Sequence, residues 1–503
     1  MTGKLILMTF VGAFAVSALE AEVIASDNAQ ADDARKLAGL AGTVSVRPDR
    51  ILRTVKPMNA VNNGPQCPNP YSDSQYLTNG KTYRMARIPF ARTHDSSICY
   101  NYGGEHTVDI SAVFPDFSRD ENDPASYDFA VTDYYLENIR RAGTEPYFRL
   151  GQKIEHGIRK YGVMPPPDLG KWARVCDHVV RHYNEGWANG FRWNIRHWEI
   201  WNEPDLDTSW RSTEKSPVDV APAHPRTWGG TEAQFFDLFE ATAKLLKRNH
   251  PDILVGGPAV GWRKDWVERF LREMSRRSTP LDFFSWHIYT AWPEKVPELA
   301  VTYRTMLDRF GYAQTLSHCN EWNITHNWQG GFVRTLTEIG SVANAAAALG
   351  TMILSQNAPV DMLMYYDARP DTGFNGLWDA HLRPLKGYWA FYAWGRLAAL
   401  GHQLEVTTEG LPKGWHVIAA TDDSRTRGGL VVARYHSAKE DEYWTGPRKV
   451  RLRAPGVDLT KARCHLTDET FSYSEFELDF VGQDAILLLE PQSFAVIEWG
   501  CGN

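Results

Sequence analysis

The chain has 503 residues, of which 43% are hydrophobic and 23% are charged. These proportions are typical of a folded globular protein and exclude disorder, collagen-like repeats and coiled coil as its main architecture. The formal net charge is −7 and no run of lysine and arginine offsets it, so nucleic acid is not an expected partner. Many of the 19 tryptophans stand beside Asn, Glu, His or Asp, a pattern that suits either a carbohydrate site or a large aromatic core.

The N-terminal segment predicts export. Residues 1–25 begin with one lysine, Lys4, continue with an apolar stretch over residues 5–19 and then become polar, as in a secretory signal peptide. The stretch of about 15 residues is shorter than the ~20 that span a bilayer, and an uncleaved anchor is the alternative. We therefore expect a secreted or periplasmic protein, in which Cys464 and Cys501 could form a disulfide, although the sequence leaves the pairing open.

A lead-in over residues 26–56, with a strand-like stretch from Thr43 to Val55, precedes a long segment of alternating strands and helices at residues 57–400. Helices are predicted between the strands, the last one over Phe332 to Ser355. Eight such units predict a (β/α)8 barrel. A doubly wound sheet is the alternative, but the sequence lacks the glycine-rich phosphate turns GxGxxG and GxxxxGK[ST]. The eight predicted strands are Met58–Asn62, Pro89–Thr93, Pro146–Leu150, His197–Trp201, Ile253–Gly256, Phe283–Trp286, Thr315–His318 and Met362–Tyr366.

Residues 401–503 change to alternating patterns without helices. Glycine, proline and charged turns separate the short runs, which predicts a C-terminal antiparallel β-sandwich. The early stretch from Thr43 to Val55 could join this sandwich. The predicted strands are Gly414–Thr421, Gly429–Tyr435, Arg448–Arg453, Ala485–Leu489 and Ser493–Trp499.

The most informative motif, HWEIWNEPD at residues 197–205, ends the fourth predicted strand. Pro204 cannot donate to a sheet and disfavours the helical region for the residue before it, so we expect it to end the strand and keep Glu203 extended. Glu203 then lies at the carboxyl end of its strand, on the face where barrel active sites are built.

A second carboxylate, Glu321, follows the seventh predicted strand in the segment LSHCNEWN. Glycoside hydrolysis requires two carboxyl groups that bracket one glycosidic bond, one protonated and the other ionised. Repulsion and unequal burial would separate their pKa values. Two strand-end glutamates in one barrel therefore predict a catalytic pair.

These motifs resemble those of family 39 glycoside hydrolases, relatives of β-xylosidase and α-L-iduronidase among the retaining barrel enzymes, and the likeness runs from about residue 57 to the C-terminus. The letters WNEP around Glu203 match the acid/base segment of that clan, and NEWN around Glu321 matches the nucleophile segment of the family. The resemblance implies that Glu203 is the general acid/base, that Glu321 is the nucleophile and that Asn202 contacts the sugar 2-hydroxyl.

The resemblance also implies substrate-binding residues at other strand ends. His287 and Tyr289 share one face of the sixth strand; the family's tyrosine here contacts the nucleophile and its histidine binds or orients the sugar. Arg92 and His94 after the second strand resemble an Arg/His pair near the nucleophile, and Trp322 is a further predicted sugar contact. Packed core aromatics and an ordinary salt bridge are the alternatives for these positions.

The implied reaction is a retaining double displacement on a glycoside, oligosaccharide or polysaccharide, most like that of a β-xylosidase or related exo-glycosidase. We expect no metal and no organic cofactor, because HExxH, GxSxG and clustered Cys/His ligands do not occur in the sequence. The segment QKIEH at residues 152–156 departs from β-xylosidase sequences and leaves the sugar open. The alternatives are an endo-acting hydrolase of a bacterial exopolysaccharide, a barrel hydrolase of a sister family and a sugar-binding barrel without activity.

Overall fold

The computed structural model describes residues 31–68, 78–98, 106–207, 224–370, 372–437 and 446–500. The predicted signal peptide at residues 1–25 and Cys501 lie outside the described residues. Within them, the chain forms a closed parallel barrel and a separate ten-stranded sheet. The predicted fold class, a (β/α)8 barrel with a C-terminal β-sandwich, is confirmed, whereas the exact domain limits stay predictions.

The barrel closes through parallel pairing of each strand with the next, from β2 round to β9. Each of the eight predicted runs overlaps one of these strands. The strand ends needed for a site at the barrel mouth are therefore present. The barrel strands are β2 (Ala60–Asn62), β3 (Phe90–Arg92), β4 (Glu145–Leu150), β5 (His197–Ile200), β6 (Leu254–Val260), β7 (Phe283–Tyr289), β8 (Leu316–Asn323) and β9 (Met362–Tyr365).

Helices connect the barrel strands and cover the barrel. The predicted helix over residues 332–355 is two helices with a 94° bend between them, because Ser341 is extended and its side chain accepts from the Asn344 N–H, which starts a new helix. No single helix in the described part of the chain is long and apolar enough to cross a membrane, although this bent pair passes that test jointly. The helices are Gly80–Met85, Ile110–Val113, Ala130–Arg141, Leu169–Asn184, Glu232–Asn249, Lys264–Arg276, Lys295–Arg309, Phe332–Glu338, Val342–Gln356 and Lys386–Leu400.

The ten-stranded sheet uses strands from both ends of the chain. Its order is β15-β14-β18-β12-β11-β10-β1-β13-β17-β16, so β1 from the N-terminal lead-in lies near its centre. β1 pairs antiparallel with β10 and parallel with β13. The expectation that the early strand joins the C-terminal sheet is therefore confirmed. The strands are β1 (Leu40–Thr54), β10 (His402–Glu409), β11 (Trp415–Thr421), β12 (Gly428–Arg434), β13 (Arg448–Arg453), β14 (Arg463–Thr467), β15 (Ser474–Glu475), β16 (Asp479–Val481), β17 (Asp484–Leu489) and β18 (Ser493–Trp499).

The helix Val342–Gln356 joins the barrel to the sheet. Nearly all of its side chains are buried, since it packs against the helix Lys386–Leu400 and against strands β11, β12 and β18. Its run of alanines allows this close approach on several sides, because small side chains leave no bulk between neighbouring backbones. The two parts of the chain therefore share one continuous apolar core.

An aromatic layer fills the inside of the barrel. Tyr147 stacks on His197 with ring centroids 5.0 Å apart, and Phe283 stacks on His318 at 4.9 Å. These residues come from four different barrel strands, so their side chains meet in the interior. Because this layer closes the barrel, the polar side chains nearer the carboxyl ends of the strands face the mouth.

Candidate active site

The backbone after β5 turns sharply to present Glu203. Trp201 and Glu203 both have positive φ angles, 77° and 49°, conformations that cost of order 1–3 kcal/mol each for residues other than glycine. The Glu203 N–H donates to Ala259 O at 2.9 Å. The prediction that Pro204 keeps Glu203 extended is therefore wrong. β5 ends at Ile200, and the left-handed residues Trp201 and Glu203 redirect the chain before Pro204 is reached.

This turn changes which side chains face the mouth. The Trp201 ring lies 5.1 Å from Trp228, outside the barrel, whereas Asn202 and Glu203 contact residues of β3 and β7 across the interior. A regular strand would have alternated the side chains one by one. The irregular turn instead brings two consecutive polar residues into the site.

A bulge in β8 likewise brings two consecutive polar residues, one of them the second carboxylate, into the site. Trp286 pairs with Cys319 but the next residue of β7, His287, pairs with Glu321, so Asn320 is an extra residue. Asn320 and Glu321 both face the interior. Trp322 consequently points outward, is 1% exposed and packs against Tyr365 at 5.5 Å. The predicted sugar contact at Trp322 is therefore corrected, because the residue after Glu321 alternates to the opposite face.

Glu203 and Glu321 both approach the imidazole ring of His287. The imidazole Nδ1 is 2.8 Å from Glu203 Oε1 and Nε2 is 3.7 Å from Glu321 Oε2. One imidazole nitrogen of His287 and one carboxylate oxygen of each glutamate lie within 4.8 Å of one another. Both carboxylates are buried, at 7% and 6% exposure. The structure thus brings the two predicted glutamates from different strands to one point in the mouth.

Two further predicted residues hold Glu321. The Tyr289 hydroxyl donates a short hydrogen bond to its Oε1, and Arg92 Nη1 donates to its Oε2 at 3.2 Å. A charged donor and a hydroxyl donor both favour the ionised form of a carboxyl group. Glu321 is therefore surrounded as a carboxylate nucleophile would need to be.

The side-chain amide of Asn202 has a hydrogen-bonded oxygen and, within the described ranges, an unbonded nitrogen. Its Oδ1 accepts from Arg92 Nη2 at 2.7 Å, and this fixes the orientation of the amide. Its buried Nδ2 has no hydrogen-bond partner among the described residues. A buried amide donor without a partner costs free energy, so it is suited to a hydroxyl group of a bound sugar.

Sequence reasoning missed Glu199, which lies beneath the pair. Glu199 is fully buried and accepts from Arg92 Nε at 2.6 Å, from Ser285 Oγ at 2.6 Å and from the amide of Asn320. It neutralises Arg92, whose guanidinium links Glu199 to Glu321. The two-residue periodicity of a strand could have found it, since Glu199 shares a strand face with His197.

His94 belongs to a neighbouring group of charges. Its buried ring lies 5.9 Å from that of Tyr366, and the adjacent Asp95 pairs with Lys153 at 3.3 Å and with Arg369 at 3.1 Å. Among the contacts of the described residues, none joins His94 to Glu203 or Glu321. Its predicted contact with the sugar therefore stays a prediction.

The two carboxyl groups differ in their electrostatic surroundings. Burial, followed by the negative charge of Asp205, raises the pKa of Glu203 to about 8. Burial also raises the pKa of Glu321, but the Arg92 guanidinium and the Tyr289 hydroxyl oppose this increase. Burial lowers the pKa of His287, so the imidazole between them is neutral near pH 7. Glu203 can therefore hold a proton at a pH where Glu321 is the better stabilised anion.

Glu203, His287 and Glu321 also carry donor types that bind divalent metals. The guanidinium of Arg92, however, lies 3.2 Å from Glu321 Oε2 and already supplies positive charge there. A cation placed between the three side chains would meet this fixed positive charge at short range. The donor set therefore fits proton transfer and nucleophilic attack better than metal binding.

Comparison with known proteins finds glycosidases. Residues 101–308 match the family model "Glycosyl hydrolases family 39", a range that includes Glu203 but ends before Glu321. A beta-xylosidase of Geobacillus stearothermophilus is 26% identical over 230 residues, which are 40% of this chain and 42% of that protein. The matched segment thus spans less than half the length of this curated relative.

Solved structures extend the likeness to nearly the whole chain. A glucosidase from Croceicoccus marinus aligns with a TM-score of 0.74 at 22% identity, covering 92% of this chain and 99% of that one. A GH39 beta-xylosidase from Caulobacter crescentus aligns with a TM-score of 0.62 at 17% identity, covering 91% of this chain and 100% of that one. At these identities the alignments show the shared fold. Together with the family match, the comparisons confirm the resemblance to family 39 of the glycosyl hydrolases that the two glutamate motifs indicated.

Proposed function

We propose that this chain is a retaining glycoside hydrolase that acts on chain ends or simple glycosides, most like a β-xylosidase. The observation that carries the proposal is the convergence of Glu203, His287 and Glu321. A ring nitrogen of His287 and a carboxylate oxygen of each glutamate lie within 4.8 Å of one another. Carboxyl groups about 5–5.5 Å apart suit a retaining mechanism, whereas inversion needs roughly 6.5–9.5 Å to admit a water. The match to family 39 over residues 101–308 supports the same class.

In the first step, Glu203 donates its proton to the departing glycosidic oxygen while Glu321 attacks the anomeric carbon. Glu203 is suited to this step because burial and Asp205 hold its pKa at about 8. Arg92 and Tyr289 orient Glu321 and stabilise its negative charge before attack. The product of this step is a glycosyl ester on Glu321.

In the second step, Glu203 removes a proton from water, which attacks the anomeric carbon and releases Glu321. Formation of the ester removes the charge of Glu321, and the two carboxyl groups repel each other when both are ionised. Loss of this repulsion lowers the pKa of Glu203 and favours its action as a base. Asn202 Nδ2 is the donor available to the sugar hydroxyl throughout.

The sugar is identified by a panel of 4-nitrophenyl xylosides, arabinosides, glucosides, galactosides and uronides, followed by matching disaccharides and polysaccharides. We expect the highest kcat/KM on a β-xyloside, with release of single sugars from chain ends. Cleavage of a polysaccharide into mixed internal fragments would instead support the endo-acting alternative. Proton NMR of the first product is expected to show the substrate's anomeric configuration.

An inactive sugar-binding barrel is tested by Glu321→Gly on the best aryl glycoside. The variant is expected to lose hydrolysis and to recover turnover with added azide, giving a glycosyl azide of inverted configuration. Trp322→Phe, which changes the outward-facing neighbour, is the matched control and should need no azide. A wild-type protein that binds sugars but turns over none of the panel would overturn the proposal.

We further propose that the protein is exported, because residues 1–25 have the composition of a signal peptide. Expression with an epitope tag at the C-terminus, followed by fractionation and N-terminal sequencing, tests this. Cleavage near residue 25 is the expected result. A retained, uncleaved N-terminus would support the membrane-anchor alternative.

A further inference from the structure

The indole of Trp262 stands exposed on the rim of the barrel mouth. It is the second residue after β6 and is 62% exposed. Most of the large aromatic side chains of the barrel are buried in its core. An aromatic face exposed at the mouth of a barrel is suited to stacking on a ring of a bound ligand.

The loop that carries Trp262 is held rigidly. Asp205, which is fully buried, accepts from the backbone N–H groups of Gly261 at 2.8 Å, Trp262 at 3.0 Å and Arg263 at 3.1 Å. Three hydrogen bonds to one buried carboxylate fix the backbone beneath the indole. Trp262 is therefore presented to the mouth by a fixed loop, which limits the entropy lost when a ligand stacks on it.

This loop lies directly beside the proposed acid. A Cβ atom built on Gly261 would be 3.4 Å from Glu203 Oε1, so any side chain at this position, directly before Trp262, would contact the carboxyl group. Asp205, which anchors the loop, is two residues after Glu203. The turn that presents the acid and the loop that presents the indole are thus one structural unit.

The mouth has a second aromatic wall, formed by Trp328 after β8, two strands along the barrel from β6. Trp328 lies 5.0 Å from the Tyr289 ring, and Tyr289 donates to Glu321. That wall therefore borders the nucleophile, whereas Trp262 borders the acid. Since the acid must face the glycosidic oxygen, the group that departs with this oxygen lies on the side of Trp262.

We propose that Trp262 is the binding platform for the leaving group of the substrate, either a sugar ring or an aryl ring that stacks on the indole. This inference rests on the proposed function, because it takes Glu203 as the acid. It predicts that Trp262 contributes to the first chemical step and contributes nothing to hydrolysis of the glycosyl-enzyme, from which the leaving group has gone.

The test compares Trp262→Ala with the wild-type protein on three substrates of one sugar, which for a β-xyloside are xylobiose, 4-nitrophenyl β-D-xyloside and β-D-xylosyl fluoride. Loss of one stacking contact is expected to lower kcat/KM for the first two by roughly threefold to tenfold. The fluoride, whose leaving group has no ring, should be unaffected. Trp262→Phe keeps a stacking face and should restore most of the loss.

Phe471→Ala is the matched control, since Phe471 is an exposed aromatic residue on the separate sheet. It should leave all three rates unchanged. Equal losses on all three substrates, or no loss on any, would overturn the role of Trp262 while leaving the proposed function intact. Failure of the wild-type protein to hydrolyse the fluoride of every sugar in the panel would instead count against the proposed function.

Discussion

At the scale of single residues, the decisive feature is the different surroundings of Glu203 and Glu321. In the proposed mechanism Glu203 must be protonated for the first step, so kcat/KM is expected to fall as the pH rises through about 8, the pKa to which burial and Asp205 raise it. Glu321 must be ionised, and its pKa is also raised above the ordinary 4.5. The fall of kcat/KM on the acid side should therefore occur above pH 4.5, and kcat/KM plotted against pH should be bell-shaped.

Asp205→Asn tests the origin of this alkaline limb. The negative charge of Asp205 raises the pKa of Glu203, so its removal makes ionisation of Glu203 easier and should move the alkaline limb of kcat/KM to lower pH. The amide keeps an acceptor for the loop of Trp262. Asp207→Asn, which alters the nearby anchor of Thr227, is the control and should shift the limb less. An unchanged limb in Asp205→Asn would contradict the electrostatic account.

At the scale of the strands, β3, β5 and β8 are tied together by one buried charge network. Arg92 pairs with Glu199 at 2.6 Å and with Glu321 at 3.2 Å, and neither Arg92 nor Glu199 is exposed. Removing one member of a buried pair leaves the other charge without compensation, which typically costs about 3–5 kcal/mol. Stability of the barrel should therefore depend on both partners together.

We expect Arg92→Met to lower the thermal unfolding midpoint strongly, and the double variant Arg92→Met with Glu199→Gln to recover part of that loss. The second substitution removes the charge that the first leaves unpaired. Circular dichroism or differential scanning calorimetry at fixed pH measures the order of the midpoints. A double variant that is less stable than Arg92→Met would show that Glu199 serves another purpose.

The strand motifs predicted the pair but not its geometry. Glu203 and Glu321 could be found because each follows a short strand-like run, and barrel chemistry is built at the ends of such strands. The left-handed residues Trp201 and Glu203 and the bulge at Asn320 could not be read from local pattern, since tertiary contacts hold them. Trp322 is different, because it directly follows Glu321 in β8 and the alternation of a strand places it on the opposite face.

At the scale of the whole molecule, the barrel and the sheet depend on a strand from the N-terminal lead-in. β1 pairs with β10 over most of its length and with β13 on its other side. Its extended stretch was visible in the sequence, whereas β15 and β16, with two and three residues, were too short to show a pattern. Long-range pairing of this kind is set by burial in the assembled sheet.

A chain that starts at Val55 lacks β1 and should expose the backbone edges of β10 and β13. Unpaired strand edges promote association, so we expect low soluble yield and aggregates in size-exclusion chromatography. A chain that starts at residue 31 keeps β1 and is the matched control. A soluble, monomeric protein with an unchanged unfolding midpoint after removal of β1 would contradict this interdependence.

The most direct measurement is covalent trapping of the glycosyl-enzyme. A 2-deoxy-2-fluoro glycoside of the preferred sugar, with a dinitrophenyl leaving group, slows hydrolysis of the ester more than its formation, so one sugar should accumulate per protein. Mass spectrometry of the digested protein is expected to find that sugar on the peptide containing Glu321, and no label should appear in Glu321→Gln. A label on another residue, or turnover without any covalent label, would contradict the assignment of Glu321 and Glu203 to one double displacement.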